Sequence, residues 1–159
     1  FINCTGLNNI IISETVKSIG SFDYCTSLTN ISVPNSVISV GSMRNCTSLI
    51  EVYIGDGVIN IPESMFYKSS SLKKVTIGKN VQSIGINAFY ENSIIEFYLH
   101  AENPPTFESK YDHLNGKWIY ALYNNAFSND SKLYVPQRCG TIYKSSSWEK
   151  YFKNIVEMD

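Results

Sequence analysis

A right-handed, β-rich solenoid is the fold this sequence predicts, and three observations predict it. A joint motif recurs as Phe1-Ile2-Asn3-Cys4-Thr5-Gly6-Leu7, Phe22-Asp23-Tyr24-Cys25-Thr26-Ser27-Leu28 and Met43-Arg44-Asn45-Cys46-Thr47-Ser48-Leu49, so that the anchors Leu7, Leu28 and Leu49 are evenly spaced. A fourth copy, Phe66 to Leu72, follows at a slightly longer interval, and a fifth starts at Phe89 and reaches its anchor, Ile94, one residue short. Behind each anchor the pattern Leu-x-x-Ile-x-Ile alternates β-branched residues, which is strand chemistry. Periods in the low twenties mark units that cannot bury an apolar side alone and must stack on their neighbours.

The elements follow in order within each repeat. Three residues after the anchor come Ile10, Ile31, Val52, Val75 and Phe97, and two further on come Ile12, Val33, Ile54, Ile77 and Leu99. These columns predict one parallel strand per repeat, spaced by about 4.8 Å from the next. Pro34, Gly55, Gly78 and Pro136 stand where each strand should end in a turn. A second apolar column holds Val16, Val37, Val58 and Val81, and a third holds Ile19, Val40, Ile61 and Ile84. Gly20, Gly41 and Gly85 punctuate the third column, with Pro62 as the odd member.

The units Leu72-x-x-Val75-x-Ile77-Gly78 and Val81-x-x-Ile84-Gly85-x-x-Ala88-Phe89, with the Asn-Cys-Thr-Ser-Leu joints, resemble the BspA-like class of leucine-rich repeats. The stretches Asn103-Pro104-Pro105-Thr106, Leu133-Tyr134-Val135-Pro136 and Tyr143 to Ile155 resemble that family's terminal repeat and cap. The resemblance implies a leucine-rich repeat solenoid: a horseshoe-like stack of parallel strands with a C-terminal helical cap. It also implies a recognition scaffold on a cell surface or in secreted form, and it names no ligand. Residues 1–100 divide into five repeats with the first incomplete, 101–136 form a degenerate last repeat carrying an insertion, and 137–159 form the cap. The chain starts inside a repeat, at Phe1, and reads as a mature or trimmed piece with its targeting segment upstream.

Composition fits a binding scaffold better than other classes. The net charge is -1 at pH 7, with six basic and seven acidic side chains in residues 1–100 and seven of each beyond, so no basic footprint for nucleic acid is expected. No apolar run approaches the roughly 18 residues of a membrane span. Cys4, Cys25 and Cys46 share one register, where Ser69 stands in the fourth repeat. Parallel Cβ vectors about 5 Å apart do not suit a disulfide, so these read as free thiols filling the core as small apolar groups, with Cys139 a packed thiol of the cap. Such wide, even spacing fits no zinc pattern, and no metal or cofactor is expected. A dyad of Cys139 and His113 is conceivable only because any chain with four cysteines and two histidines offers such pairs, and no catalytic residues are expected. Glu149 and Glu157 read as solvated positions of the cap. Sequons at Asn3, Asn30, Asn45 and Asn129 recur with the repeat, which favours a structural role for these asparagines.

Function is expected where residues face outward or interrupt the repeat. Strand alternation puts Ile11, Ser32, Tyr53, Thr76, Tyr98 and Tyr134 in one concave outward column, flanked by Asn9, Asn30, Glu51, Lys74 and Glu96. The partner-binding candidates are therefore Tyr53, Lys74, Thr76, Glu96, Tyr98 and Tyr134, joined by Tyr111 and Trp118 of the insertion. The interval from Phe89 to Phe127 is longer than the repeat allows by about 15 residues, an insertion that falls chiefly between Glu108 and Asn125. Lys117 to Tyr123 read as a hairpin strand after an Asn115-Gly116 turn, with Trp118 and Tyr120 expected to pack on the cap as an extra core layer. In the cap itself a serine of Ser145-Ser146-Ser147 serves as N-cap, and Trp148, Phe152 and Ile155 are expected on one helical face. The other end lacks such closure, and its open apolar coil offers a route to self-association. The sequence thus favours a non-catalytic module that binds a host or matrix protein, with a structural spacer or a carbohydrate-binding module as the alternatives.

Overall fold

The computed structural model describes residues 1–122 and 126–159, and it is a parallel-strand solenoid of about six turns. Its strands in chain order are β1 (Ser18–Ile19), β2 (Asn30–Val33), β3 (Ser39–Val40), β4 (Glu51–Ile54), β5 (Asn60–Ile61), β6 (Lys74–Ile77) and β7 (Ser83–Ile84). They continue with β8 (Ile94–Leu99), β9 (Thr106–Phe107), β10 (Ser109–Asp112), β11 (Lys117–Tyr120), β12 (Phe127–Val135) and β13 (Asn154–Glu157). A helix α1 (Gly140–Lys144) and a 3-10 turn (Ser147–Lys150) lie between the last two.

The Leu-x-x-Ile-x-Ile segments build one sheet in the order β13-β12-β8-β6-β4-β2, with every pair parallel. Register follows the repeat: Ile31, Val52, Val75, Phe97 and Leu133 stand side by side across it. Each of these is at most 2% exposed, because one residue in two along a strand turns inward and this column is the inward one. The first repeat departs from the expected pattern. Ile10 and Ile12 are only half-buried, and residues 8–13 form no strand beside β2. Among the described residues that coil is stacked on one side only, so pairing there would remove little apolar surface from water.

The second ladder breaks where proline interrupts it. Gly41 N donates to Ile19 O at 3.0 Å and Gly85 N to Ile61 O at 2.8 Å, whereas Pro62 in the same register has no N–H to give Val40. Two sheets result, β1-β3 and β5-β7-β9. Glycine at the turns serves close stacking: a Cβ on Gly78 would lie 2.7 Å from the carbonyl carbon of Gly55 one coil back.

The joints hold the coils together by a two-way exchange. Asn3, Tyr24, Asn45, Lys68 and Glu91 all adopt positive φ, between 53° and 61°, a conformation that asparagine tolerates best among residues with a Cβ. In the first four the backbone N–H meets a carbonyl of the following coil, as where Tyr24 N donates to Arg44 O at 2.8 Å and Lys68 N to Tyr90 O at 2.8 Å. The next residue reaches back. Cys25 Sγ donates to Phe1 O at 2.9 Å, Cys46 Sγ to Phe22 O at 3.1 Å, Ser69 Oγ to Met43 O at 2.8 Å and Asn92 Nδ2 to Phe66 O at 2.8 Å. The cysteines are free thiols in this structure, but Cys25 and Cys46 are hydrogen-bond donors rather than apolar fillers. Burial pushes the Cys46 thiol up to about 12, which keeps the donating proton in place. The recurring sequon asparagines Asn3 and Asn45 find their structural role in the same positive-φ joint.

The inserted segment leaves and returns at one point, where Ala121 N donates to Glu108 O at 3.1 Å. Between these residues β10 and β11 pair antiparallel, with Tyr111 opposite Trp118 and Asp112 opposite Lys117. The turn runs from His113 to Gly116, longer than the expected Asn115-Gly116 pair. Gly116 takes φ +64°, and its N–H closes on Asp112 O at 2.8 Å. Asn87 N donates to Tyr120 O at 3.0 Å, so the end of β11 occupies the place of a next coil at that corner. Tyr123, expected to continue this strand, and Asn125 lie outside the described residues.

The cap closes the C-terminal end around Trp148, Tyr143 and Phe152, all at most 1% exposed. Trp148 Nε1 donates to Pro105 O at 2.9 Å and Tyr143 Oη to Ala101 O at 2.7 Å, so both rings bury without orphaning their polar atoms. Ser146 is the N-cap, as its side chain accepts from Trp148 N. The single helical face expected for Trp148, Phe152 and Ile155 does not form: the helix is a short 3-10 turn, and Ile155 stands in β13 opposite Leu133. The β-branched pair Ile155-Val156 gains a ladder as strand with Ile155 half-buried against the core, which outweighs its helical spacing from Trp148. Glu157 is likewise more than a solvated position, accepting Arg138 N at 3.1 Å and Gly140 N at 2.8 Å. Those two hydrogen bonds hold its carboxyl below the usual range.

Cys46→Ser keeps the second donor to Phe22 O and should cost little, whereas Cys46→Ala leaves that carbonyl with Cys25 N alone and should cost about 1 kcal/mol in a denaturant melt. Because burial raises the folded-state thiol above its unfolded value of 9.0, wild-type stability should fall as pH climbs from about 9 toward 12. That alkaline slope should be shallower in Cys46→Ser. In the cap, Trp148→Ala should lose roughly 3–5 kcal/mol. A wild-type midpoint for that variant would show the ring carries no packing.

Candidate functional site

The outward side of the six-stranded sheet carries the expected column in register. Ser32, Tyr53, Thr76, Tyr98, Tyr134 and Val156 lie side by side across six strands, flanked by Asn30, Glu51, Lys74, Glu96, Lys132 and Asn154. Ile11 and Asn9 fall outside it, since their segment is not in the sheet.

Contacts concentrate at the C-terminal half. The rings of Tyr98 and Tyr134 stack at 4.3 Å between centroids with 5° between planes. Strand spacing imposes this, because identical rotamers on neighbouring parallel strands stand face to face at nearly the strand separation. Lys74 Nζ sits 5.6 Å from the Tyr98 ring centroid on one side and 2.8 Å from Glu51 Oε1 on the other. Tyr98 Oη donates to Glu96 Oε2 at 3.3 Å. Desolvation first, and then the negative charge of Glu96, push the Tyr98 phenol up to about 12, so it remains a donor at any physiological pH. Tyr53 stands two strands away, with Oη 3.4 Å from Asn35 Oδ1. The rings are thus held in place by neighbours that leave their edges in solvent, and the exposed Lys74–Glu51 pair adds order rather than much stability.

Tyr111 and Trp118 belong to a separate surface. Their rings meet edge to face at 5.5 Å, with His113 5.0 Å from Tyr111, on a hairpin that leaves from the end of β9 rather than from the sheet carrying Tyr98. The expected extra core layer is not what the hairpin makes. Trp118 is 55% exposed and Tyr120 38%, and toward the cap Lys150 Nζ lies 5.5 Å above the Tyr120 ring. Among the described residues no further strand covers this two-stranded ribbon. A further stack goes unread in the sequence: Tyr67 and Tyr90 lie 5.0 Å apart at 11°. The signal is present, since each directly follows the phenylalanine of its repeat, Phe66 or Phe89.

The chemistry offered elsewhere is sparse. Cys139 is half-buried, with its thiol raised by burial and by Glu102 and Glu157, the opposite of an activated nucleophile. Among the described residues no three of His, Cys, Asp and Glu are grouped to hold a metal, and no helix is long and apolar enough to cross a membrane.

Parallel strands that recur with the sequence repeat and stack around a continuous interior of Leu, Ile, Val and Phe define a leucine-rich repeat solenoid. The model of the BspA type leucine rich repeat region matches residues 1–111 in six copies, and the chain belongs to that family. No curated protein matches it. Repeat solenoids of this family are typically non-catalytic scaffolds, often involved in protein interaction.

Proposed function

We propose that this protein is a non-catalytic recognition module, displayed at a cell surface or secreted, that binds a host or matrix protein through the outward face of its six-stranded sheet. Tyr53, Lys74, Thr76, Glu96, Tyr98 and Tyr134 form the contact surface. The observation that carries the reading is the Tyr98–Tyr134 stack, fixed by Lys74 on one side and by Glu96 at the phenol. Rings already ordered before contact lose little entropy on binding, and tyrosine offers both apolar area and a hydrogen-bonding tip. The ordinary strand preference of tyrosine explains its presence on the sheet but not its convergence with a lysine and two glutamates. Tyr111 and Trp118 form a secondary contact on the hairpin.

The test uses immobilised extracellular-matrix extract. Saturable binding should be lost when the extract is treated with protease. Tyr98→Ala combined with Tyr134→Ala should keep the wild-type melt within about 1 kcal/mol while weakening binding at least about tenfold, or 1.4 kcal/mol. Binding that survives protease but not glycosidase would replace the protein partner with a glycan. No saturable binding would favour a spacer, and undiminished affinity in the folded double variant would move the site off this face.

A further inference from the structure

The six-stranded sheet ends at β13, and no described strand lies beyond it. Met158 N donates back to Val135 O at 2.8 Å. Backbone groups of alternate residues along a strand point to opposite sides, so Asn154 and Val156 face β12 while Ile155 and Glu157 turn their N–H and C=O outward. Such an edge is a template for another strand. It carries no proline, its outward-column residue Val156 is 39% exposed, and with the bend residue Lys153 before it the edge reads Lys153-Asn154-Ile155-Val156-Glu157.

We propose that β13 pairs antiparallel with β13 of a second copy of this chain, about a two-fold axis through Ile155. In that register Ile155 faces Ile155, and Lys153 of each copy faces Glu157 of the other. Ile155 and Glu157 turn their backbone groups outward, so Ile155 meets its counterpart in the hydrogen-bonded type of pair, and Lys153, in the bend just before β13, falls opposite Glu157 when the same register is continued by one residue. The charges select this arrangement. Among the described residues Lys153 has no ion pair, and Glu157 is already fixed in place by Arg138 N and Gly140 N. Opposite charges directly across a ladder stabilise it, whereas parallel pairing of the same edge would set Lys153 on Lys153 and Glu157 on Glu157. The same argument makes the contact closed and isologous rather than an open filament. Because the axis stands perpendicular to the sheet, both tyrosine columns then share one continuous face, with Tyr134 of each copy two strands from the junction.

Sedimentation equilibrium of the full chain up to about 100 μM, where a roughly micromolar complex is saturated, should show a monomer–dimer equilibrium. Lys153→Glu and Glu157→Lys should each be monomeric, and their equimolar mixture should dimerise again, since each supplies the charge the other lacks. That rescue separates loss of pairing from loss of fold. A wild-type chain that stays monomeric throughout would overturn the proposal. So would a dimer indifferent to Lys153→Glu but abolished by Ile11→Glu, which would place the contact on the half-buried first coil instead.

Discussion

The parallel backbone ladder between successive coils is the constraint on which everything else in this protein rests. Once neighbouring strands are held in register about 4.8 Å apart, each position of the repeat becomes a column, and each column has one chemistry. Inward columns must be apolar because no water reaches them, and Leu28, Leu49 and Leu72 are each fully buried. Turn columns must be small where backbones nearly touch, as Gly55 and Gly78 do. Joint columns must both give and receive hydrogen bonds, which the positive-φ residue and the cysteine, serine or asparagine after it accomplish together.

The same constraint organises the outer surface. Columns of exposed residues are spaced like the strands, so a tyrosine on β8 and a tyrosine on β12 cannot avoid stacking. A patch made this way is rigid without having been assembled by a loop. Insertions are tolerated where the chain already leaves the ladder: the hairpin of β10 and β11 closes at Glu108 and Ala121 and gives its last carbonyl to Asn87 in place of a coil. The ends of the stack follow different solutions. Aromatic rings of the cap seal one end, while the first coil at the other remains half-exposed and outside the sheet.

Columns are legible in the sequence because a solenoid writes its contacts at fixed spacing. Leu72, Val75 and Ile77 can be assigned to the core, and Thr76 to the outer face, from the repeat alone. What repeats by position does not reveal what it bonds to, which is why the cysteine register reads as filler although its serine and asparagine members point to a donor. Elements that occur once are harder. Trp148, Phe152 and Ile155 fit a helical spacing, and only the presence of Leu133 on a free sheet edge makes Ile155 a strand residue. Of the candidate site, the column from Tyr53 to Tyr134 is readable from alternation, whereas Tyr111 and Trp118 share only composition with it. Their placement depends on where the hairpin leaves the coil, which no local pattern encodes.

Amide hydrogen exchange on the intact chain tests the ladder most directly. If the coils are held by strand-to-strand register, amides of β4, β6 and β8, which have a strand on either side, should exchange slowest and open only with the whole fold. Residues 8–13, which have no ladder partner, should exchange fastest outside the hairpin turn. Equal protection of residues 8–13 and β6 would contradict the account, because stability would then not depend on a coil having neighbours on both sides.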